Sequence, residues 1–237
     1  MRRIMMILLN RGGGQRQAGH NDMIHTQEDL ARLIDQVGIL PFFANSVPGW
    51  SVEENIDPAC WFTSQPGPWE WKGPLAAEKV CVYGKFIRRK AAFISPRWYP
   101  DLANWRREGY AWDERVDDDL APYHDRLLMD YLAGHPGVLS KYAKRECGFS
   151  KGYDTVLTRL QMQTYVVTSD FQYDRAKDGA PYGWGNAVID LADAWLGADF
   201  WAIRNHRTPE ESFERMAAHL MGVMPGADEG KLRKELK

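Results

Sequence analysis

The chain has 237 residues, 44% apolar and 26% charged, the balance of an ordinary globular protein. Thirty Lys and Arg against 32 Asp and Glu leave a net charge of −2, which excludes a histone-like polycation and leaves room for local basic patches. No apolar run reaches the roughly 20 residues that span a bilayer. The three cysteines, Cys60, Cys81 and Cys147, lie far apart without zinc spacing or a disulfide framework. A reducing, cytoplasmic compartment and no membrane partner are therefore expected.

Residues 1–25 read as a flexible N-terminal segment, because the apolar stretch 4–9 is short and runs into Gly-rich polar sequence without a cleavage site. Thr26-Gln27-Glu28-Asp29 then opens a helix with a capping side chain and an acidic first turn. Leu30, Leu33, Ile34 and Val37 continue it at helical spacing, and Gly38 stops it. Pro and Gly punctuate 41–78, which reads as loops with short strands. Residues 79–86 and 90–95 read as a hairpin whose connection carries Arg88 and Arg89, and 98–107 as a short helix.

From Leu120 the pattern becomes helical. Leu127, Leu128, Tyr131 and Leu132 share one face after Pro122; Ser140 caps a short helix over 141–147; Tyr153, Val156, Leu157 and Leu160 mark a third after Gly152. The third helix should bury those four residues and expose Arg159. A β-branched run over 164–171 and a second over 182–189 follow, joined by a polar tip with Asp178-Gly179 as a turn signal. Thr208-Pro209-Glu210-Glu211 opens a last helix over 209–222, and residues 225–237 read as frayed.

The expected fold is α+β: a Trp-rich mixed part over 26–118, a winged-helix-like part over 119–190 and a C-terminal segment over 191–237. Three helices followed by a two-stranded ribbon is the order of a winged helix-turn-helix, in which the third helix enters the major groove and the wing touches the backbone. That order nominates Lys141, Lys144, Lys151, Thr155, Thr158, Arg159, Arg175 and Lys177 as contacts to duplex DNA. Arg88 and Arg89 join them from a stretch, 79–107, with eight basic residues and one acid. Residues 108–130 reverse the balance with eight acids and two arginines, so the two stretches can also neutralise one another.

Seven of the ten tryptophans fall between Trp50 and Trp112, where they can pack a core or present a stacking platform. Six scattered histidines and the adjacent acids Asp117, Asp118 and Asp119 make no metal constellation, and no phosphate loop or nucleophile elbow occurs. Neither a metal nor a cofactor is expected.

At the junction of the third helix and the first wing strand stands Gln161-Met162-Gln163. It resembles the Gln-apolar-Gln motif of the AlkZ-type alkylpurine DNA glycosylases, which are built from tandem winged helices. The strings Phe42-Phe43-Ala44-Asn45-Ser46-Val47-Pro48-Gly49-Trp50-Ser51-Val52-Glu53-Glu54 and Tyr83-Gly84-Lys85-Phe86 are similar to those of AlkZ-related bacterial proteins. The resemblance around the motif covers about 120–190 and departs from the pattern downstream, where Val166-Val167-Thr168-Ser169-Asp170-Phe171 replaces an expected Arg or His cluster. It implies a DNA-binding protein of DNA repair, acting on damaged DNA. If the protein is an enzyme of that kind, a hydrolase, Gln161 positions water and Gln163 contacts the base or backbone. An alkylated purine is already a good leaving group, so positioning outweighs proton transfer there. On an extended backbone both amides would share one face.

Two other readings stay open on the residues alone. The winged helix can be structural, in a non-enzymatic regulator or interaction module whose glutamines satisfy backbone groups. Alternatively, a small-molecule site can lie in a cleft near Trp69 and Trp71. Joint exposure of Lys151, Thr155, Thr158 and Arg159 distinguishes a groove-reading helix from a structural one.

Overall fold

The Thr26 hydroxyl accepts from the Asp29 amide at 3.1 Å while the Asp29 carboxylate accepts from the Thr26 amide at 3.0 Å, so helix α1 (Gln27–Val37) starts where the capping residues place it. It ends at Gly38, whose φ is +81° and whose absent Cβ would lie 2.4 Å from the Trp98 ring; conformation and close approach both require glycine. The computed structural model describes residues 23–61, 65–176, 181–197 and 207–237. Ile24, expected in the flexible segment, is buried and donates its amide to Asn55 O at 2.8 Å.

After α1 come β1 (Ile39–Pro41), α2 (Val52–Asn55), a single 3-10 turn, and α3 (Pro68–Ala77). The loop expectation for 41–78 therefore fails at two helices. Ser51 caps α2, and Pro68 occupies the first turn of α3, where its missing amide proton leaves nothing unpaired. The hairpin β2 (Val82–Ile87) and β3 (Lys90–Ile94) follows as expected, then α4 (Tyr99–Arg106). An unforeseen short helix, α5 (Trp112–Asp117), crosses the acidic stretch.

The next elements are α6 (Tyr123–Gly134), β4 (Val138–Leu139), α7 (Ser140–Glu146), α8 (Tyr153–Met162), β5 (Val166–Arg175) and β6 (Pro181–Leu191). The chain closes with α9 (Ala192–Leu196), α10 (Pro209–Val223) and α11 (Glu229–Leu236). The tail expected to fray is thus helical: Asp228 accepts from the Lys231 amide at 2.8 Å, and Leu232 and Leu236 are fully buried. Asp178, Gly179 and Lys177 lie outside the described residues.

The described residues form a mixed α+β fold with eleven α-helices and one open, antiparallel six-stranded sheet in the order β1-β3-β2-β5-β6-β4. Tyr83 pairs with Thr168, joining the N-terminal hairpin to the C-terminal ribbon. One large core draws on residues from Ile24 to Leu236. A smaller one lies between α6, α7, α8 and the β5–β6 ribbon, and buries Leu128, Tyr153, Val156, Leu157, Leu160 and Ile189. All four residues expected on the buried face of the third helix are there.

Candidate nucleic-acid interface

Gly152, at φ +80°, starts α8, and Lys151, Asp154 and Thr155 at its N-terminal end are exposed. Its C-terminal half is enclosed. Strand β2 runs alongside: Lys85 Nζ donates to the Thr158 hydroxyl at 3.3 Å, and the Arg89 amide approaches Met162 Sδ at 3.3 Å. Thr158 is only 6% exposed. Arg159, expected to be exposed, is half-buried and forks onto both oxygens of the buried Asp125 carboxylate, with Nε 2.8 Å from Oδ2. A bidentate pair to a buried acid holds the guanidinium against α6. Joint exposure of Lys151, Thr155, Thr158 and Arg159 therefore does not occur; the first two stand free of cover and the last two are engaged within the fold.

Gln161 is 2% exposed, and its side chain links three elements. Its Oε1 accepts the Lys85 amide of β2 at 3.1 Å, and its Nε2 donates to the Thr168 hydroxyl of β5 at 3.0 Å. The partners explain its burial, because an amide enclosed without them would cost about 1–3 kcal/mol. Gln163 is the C-cap of α8 with helical backbone angles (φ −81°, ψ 0°). The two glutamines therefore stand roughly 200° apart around a helix end, and the expectation of two amides sharing one strand face gives way to this geometry.

The remaining nominated residues that the structure describes, Lys141, Lys144, Arg175, Arg88 and Arg89, are exposed. Lys144 and Lys151 make no ion pair among the described residues, while Lys141 reaches Asp174 of β5 at 3.9 Å. Arg175 lies on the exposed outer part of β5. Arg88 and Arg89 form the tip of the β2–β3 hairpin, both left-handed at φ +50° and +63°. Two such residues build the type I′ turn that matches the twist of a tight hairpin, a geometry that usually calls on Asn-Gly. Arg88 is tied to Glu235 of α11 at 3.3 Å, whereas Arg89 and Lys90 face solvent beside the C-terminal end of α8.

The sequence reading missed Lys85. The alternation of β2 could have signalled it, as a lone charge on the face carrying Tyr83. Asp125, which immobilises Arg159, sits among surface acids in the sequence and gives no such signal.

An open concavity of about 580 Å³ is lined by Glu108, Gly109, Tyr110, Glu114, Asp117 and Asp118, a composition that repels phosphate. No cluster of three His, Cys, Asp or Glu side chains suited to a metal occurs among the described residues, and none of their helices is long and apolar enough to cross a membrane.

A family model described as AlkZ related matches residues 24–237. No curated protein and no solved structure matches the chain.

Proposed function

Because the chain belongs to the AlkZ-related family, we propose that it is a duplex-DNA-binding protein of the damaged-DNA response, with residues 123–191 forming a winged helix. The observation that carries this reading is the order α6-β4-α7-α8-β5-β6 with β4 antiparallel to β6. This is the helix–strand–helix–helix–strand–strand plan in which the third helix faces the groove and the last two strands form the wing.

The interface is composite. Lys151 and Thr155 supply the leading end of α8, Lys144 the preceding helix, Arg175 the wing, and Arg88, Arg89 and Lys90 the hairpin that covers the trailing end. Covering half of α8 leaves few side chains to read base edges. Phosphate contacts then dominate, and binding is weakly sequence-selective. Gln161 acts within this reading as the clasp that holds the hairpin on α8, and any base contact falls to the half-buried Gln163.

A second reading has α8 as a purely structural helix in an interaction module, and the burial of Thr158 favours it. A titration with a short duplex at low ionic strength separates the two. DNA binding predicts a measurable Kd that weakens steeply with salt, and Arg89→Ala and Lys151→Ala each lower the log–log slope by roughly 0.9. Absence of binding at low salt leaves the structural module. Release of an alkylated purine from treated duplex tests the glycosylase form of the reading, with Gln163→Ala as the informative variant.

A further inference from the structure

Lys72 of α3 is 7% exposed although it is a lysine. Its ammonium donates to Trp69 O one turn back and lies 4.4 Å from the centre of the Phe171 ring and 5.2 Å from that of Trp69. No carboxylate lies within ion-pair distance of it among the described residues. Among the described residues its three donors thus meet one carbonyl and two ring faces, and burying an ammonium in such surroundings is costly.

Among the described residues, the charged and titratable groups around it are Glu70 on its own helix, and Asp170 and Tyr173 on β5. Tyr173 reaches Trp69 O at 3.5 Å, and burial followed by the charges of Glu70 and Asp170 pushes its hydroxyl above the usual tyrosine range. Burial brings the Lys72 amine down to about 8, against a smaller opposing pull from Glu70. The amine therefore gives up its proton more readily than an exposed lysine does.

The position matters as much as the burial. Thr168 pairs with Ile189 and Asp170 with Val188, so a bulge falls between them and Phe171, paired with Ala187, returns to the face of Thr168. Tyr83, opposite Thr168, packs edge-on against Phe171 at 5.6 Å. Helix α8, holding Thr168 through Gln161, and helix α3, holding Phe171 through Lys72, therefore cover neighbouring stretches of one sheet face. Thr168 and Phe171 are about 10 Å apart along the strand. Trp69, Phe171 and Tyr173 are each half-buried, so the amine lies one ring beneath the surface.

We propose that Lys72 is an amine nucleophile that forms an imine with an aldehyde, the open-chain sugar of an abasic site being the source that fits the neighbouring DNA interface. The Nζ lone pair attacks the carbonyl carbon, nitrogen loses a proton as the oxygen gains one, and the carbinolamine expels water to leave C=N. No oxidant or reductant is consumed. The choice of DNA as the source rests on the function proposed above; the reactivity of the amine does not. A cationic alkylpurine is a poor occupant of the same place, because it would face the ammonium form.

The test uses the full chain with sodium cyanoborohydride, which delivers hydride to the imine and fixes it as a secondary amine. One arm supplies glycolaldehyde, the second a duplex with a natural abasic site, the third a duplex with the tetrahydrofuran analogue, which has no aldehyde. Peptide mass spectrometry locates the adduct. Labelling is expected at Lys72 in the first two arms and absent in the third. It should level off above about pH 8, where exposed lysines, titrating near about 10.4, continue to rise about tenfold per pH unit.

Lys72→Arg, which keeps charge and ring contact, should reduce trapping at this position by more than tenfold with an unchanged circular dichroism spectrum. Glycolaldehyde labelling at Lys72 without abasic trapping overturns the DNA source and retains the amine. Adducts on exposed lysines with Lys72 unmodified overturn the proposal, and this mapping needs no variant to fold.

Discussion

The two cores are built differently. The larger takes Ile24, Leu30 and Ile34 from one end of the chain and Phe213, Leu232 and Leu236 from the other, around Trp50, Phe42, Phe93 and Tyr99. It closes only when distant segments meet. The smaller is local, from Leu128 to Ile189, and holds mostly aliphatic residues with Tyr153 and Tyr165. Sequence-local contacts form at low loop-closure cost, so the smaller core can assemble early and the larger one last. The side chains that join them are polar. Gln161 clasps β2 to β5, and the fully buried Arg107 donates to Thr164 O at 2.7 Å and to Asp193 at 2.7 and 3.2 Å. Apolar burial sets the strength of each core, while directional hydrogen bonds set how the two meet.

The largest effect is expected in the larger core. Trp50 is fully buried, and its indole N–H donates to Ile39 O at 2.7 Å. Trp50→Ala should destabilise by about 3–5 kcal/mol, read as a lower urea midpoint. Leu157→Ala tests the smaller core and should cost about 2–5 kcal/mol. If its unfolding curve shows a separate early transition, the cores are thermodynamically distinct; a single shifted transition makes them one cooperative unit. Gln161→Ala addresses the joint and should cost about 1–3 kcal/mol, because it leaves the Lys85 amide and Thr168 hydroxyl without their partner. A melting temperature equal to that of the wild type would remove the clasp.

The smallest effect is a pH dependence confined to the larger core. His219 stacks on Trp98 at 4.2 Å and faces Val37 O at 3.1 Å, with Arg215 and Arg97 nearby. Burial lowers its pKa, against the pull of the Val37 carbonyl, and Arg97 and Arg215 lower it further. The unfolded chain therefore binds the proton more readily, and stability falls as pH drops below the usual histidine value of about 6.5. Denaturation profiles of His219→Phe and wild type between pH 5 and 8, values chosen to bracket about 6.5, should differ in slope only on the acid side.

Elements announced by local chemistry were legible in the sequence. Thr26 and Thr208 cap the helices they were expected to cap, the 3.6-residue stripe of α8 buries Tyr153, Val156, Leu157 and Leu160, and the hairpin around Arg88 and Arg89 forms as expected. The misses share a cause. Helix α3 contains Pro68, Gly73 and Pro74, which argue against a helix until its packing on β5 is known. Helix α11 is short and polar and forms because Leu232 and Leu236 find a core contributed by the other end of the chain.

At the candidate interface the sequence by itself determined which residues are basic, which face of α8 is apolar and that a two-stranded ribbon follows it. Periodicity and capping act within a few residues, so they survive without a tertiary partner. Only the tertiary structure decided that β2 covers Thr158, that Asp125 holds Arg159, that Gln161 is enclosed while Gln163 stays half-buried, and that Lys72 sits beneath Trp69 and Phe171. Each of those outcomes depends on an element brought in from tens of residues away, and exposure, unlike helical phase, belongs to the packed molecule rather than to the local chain.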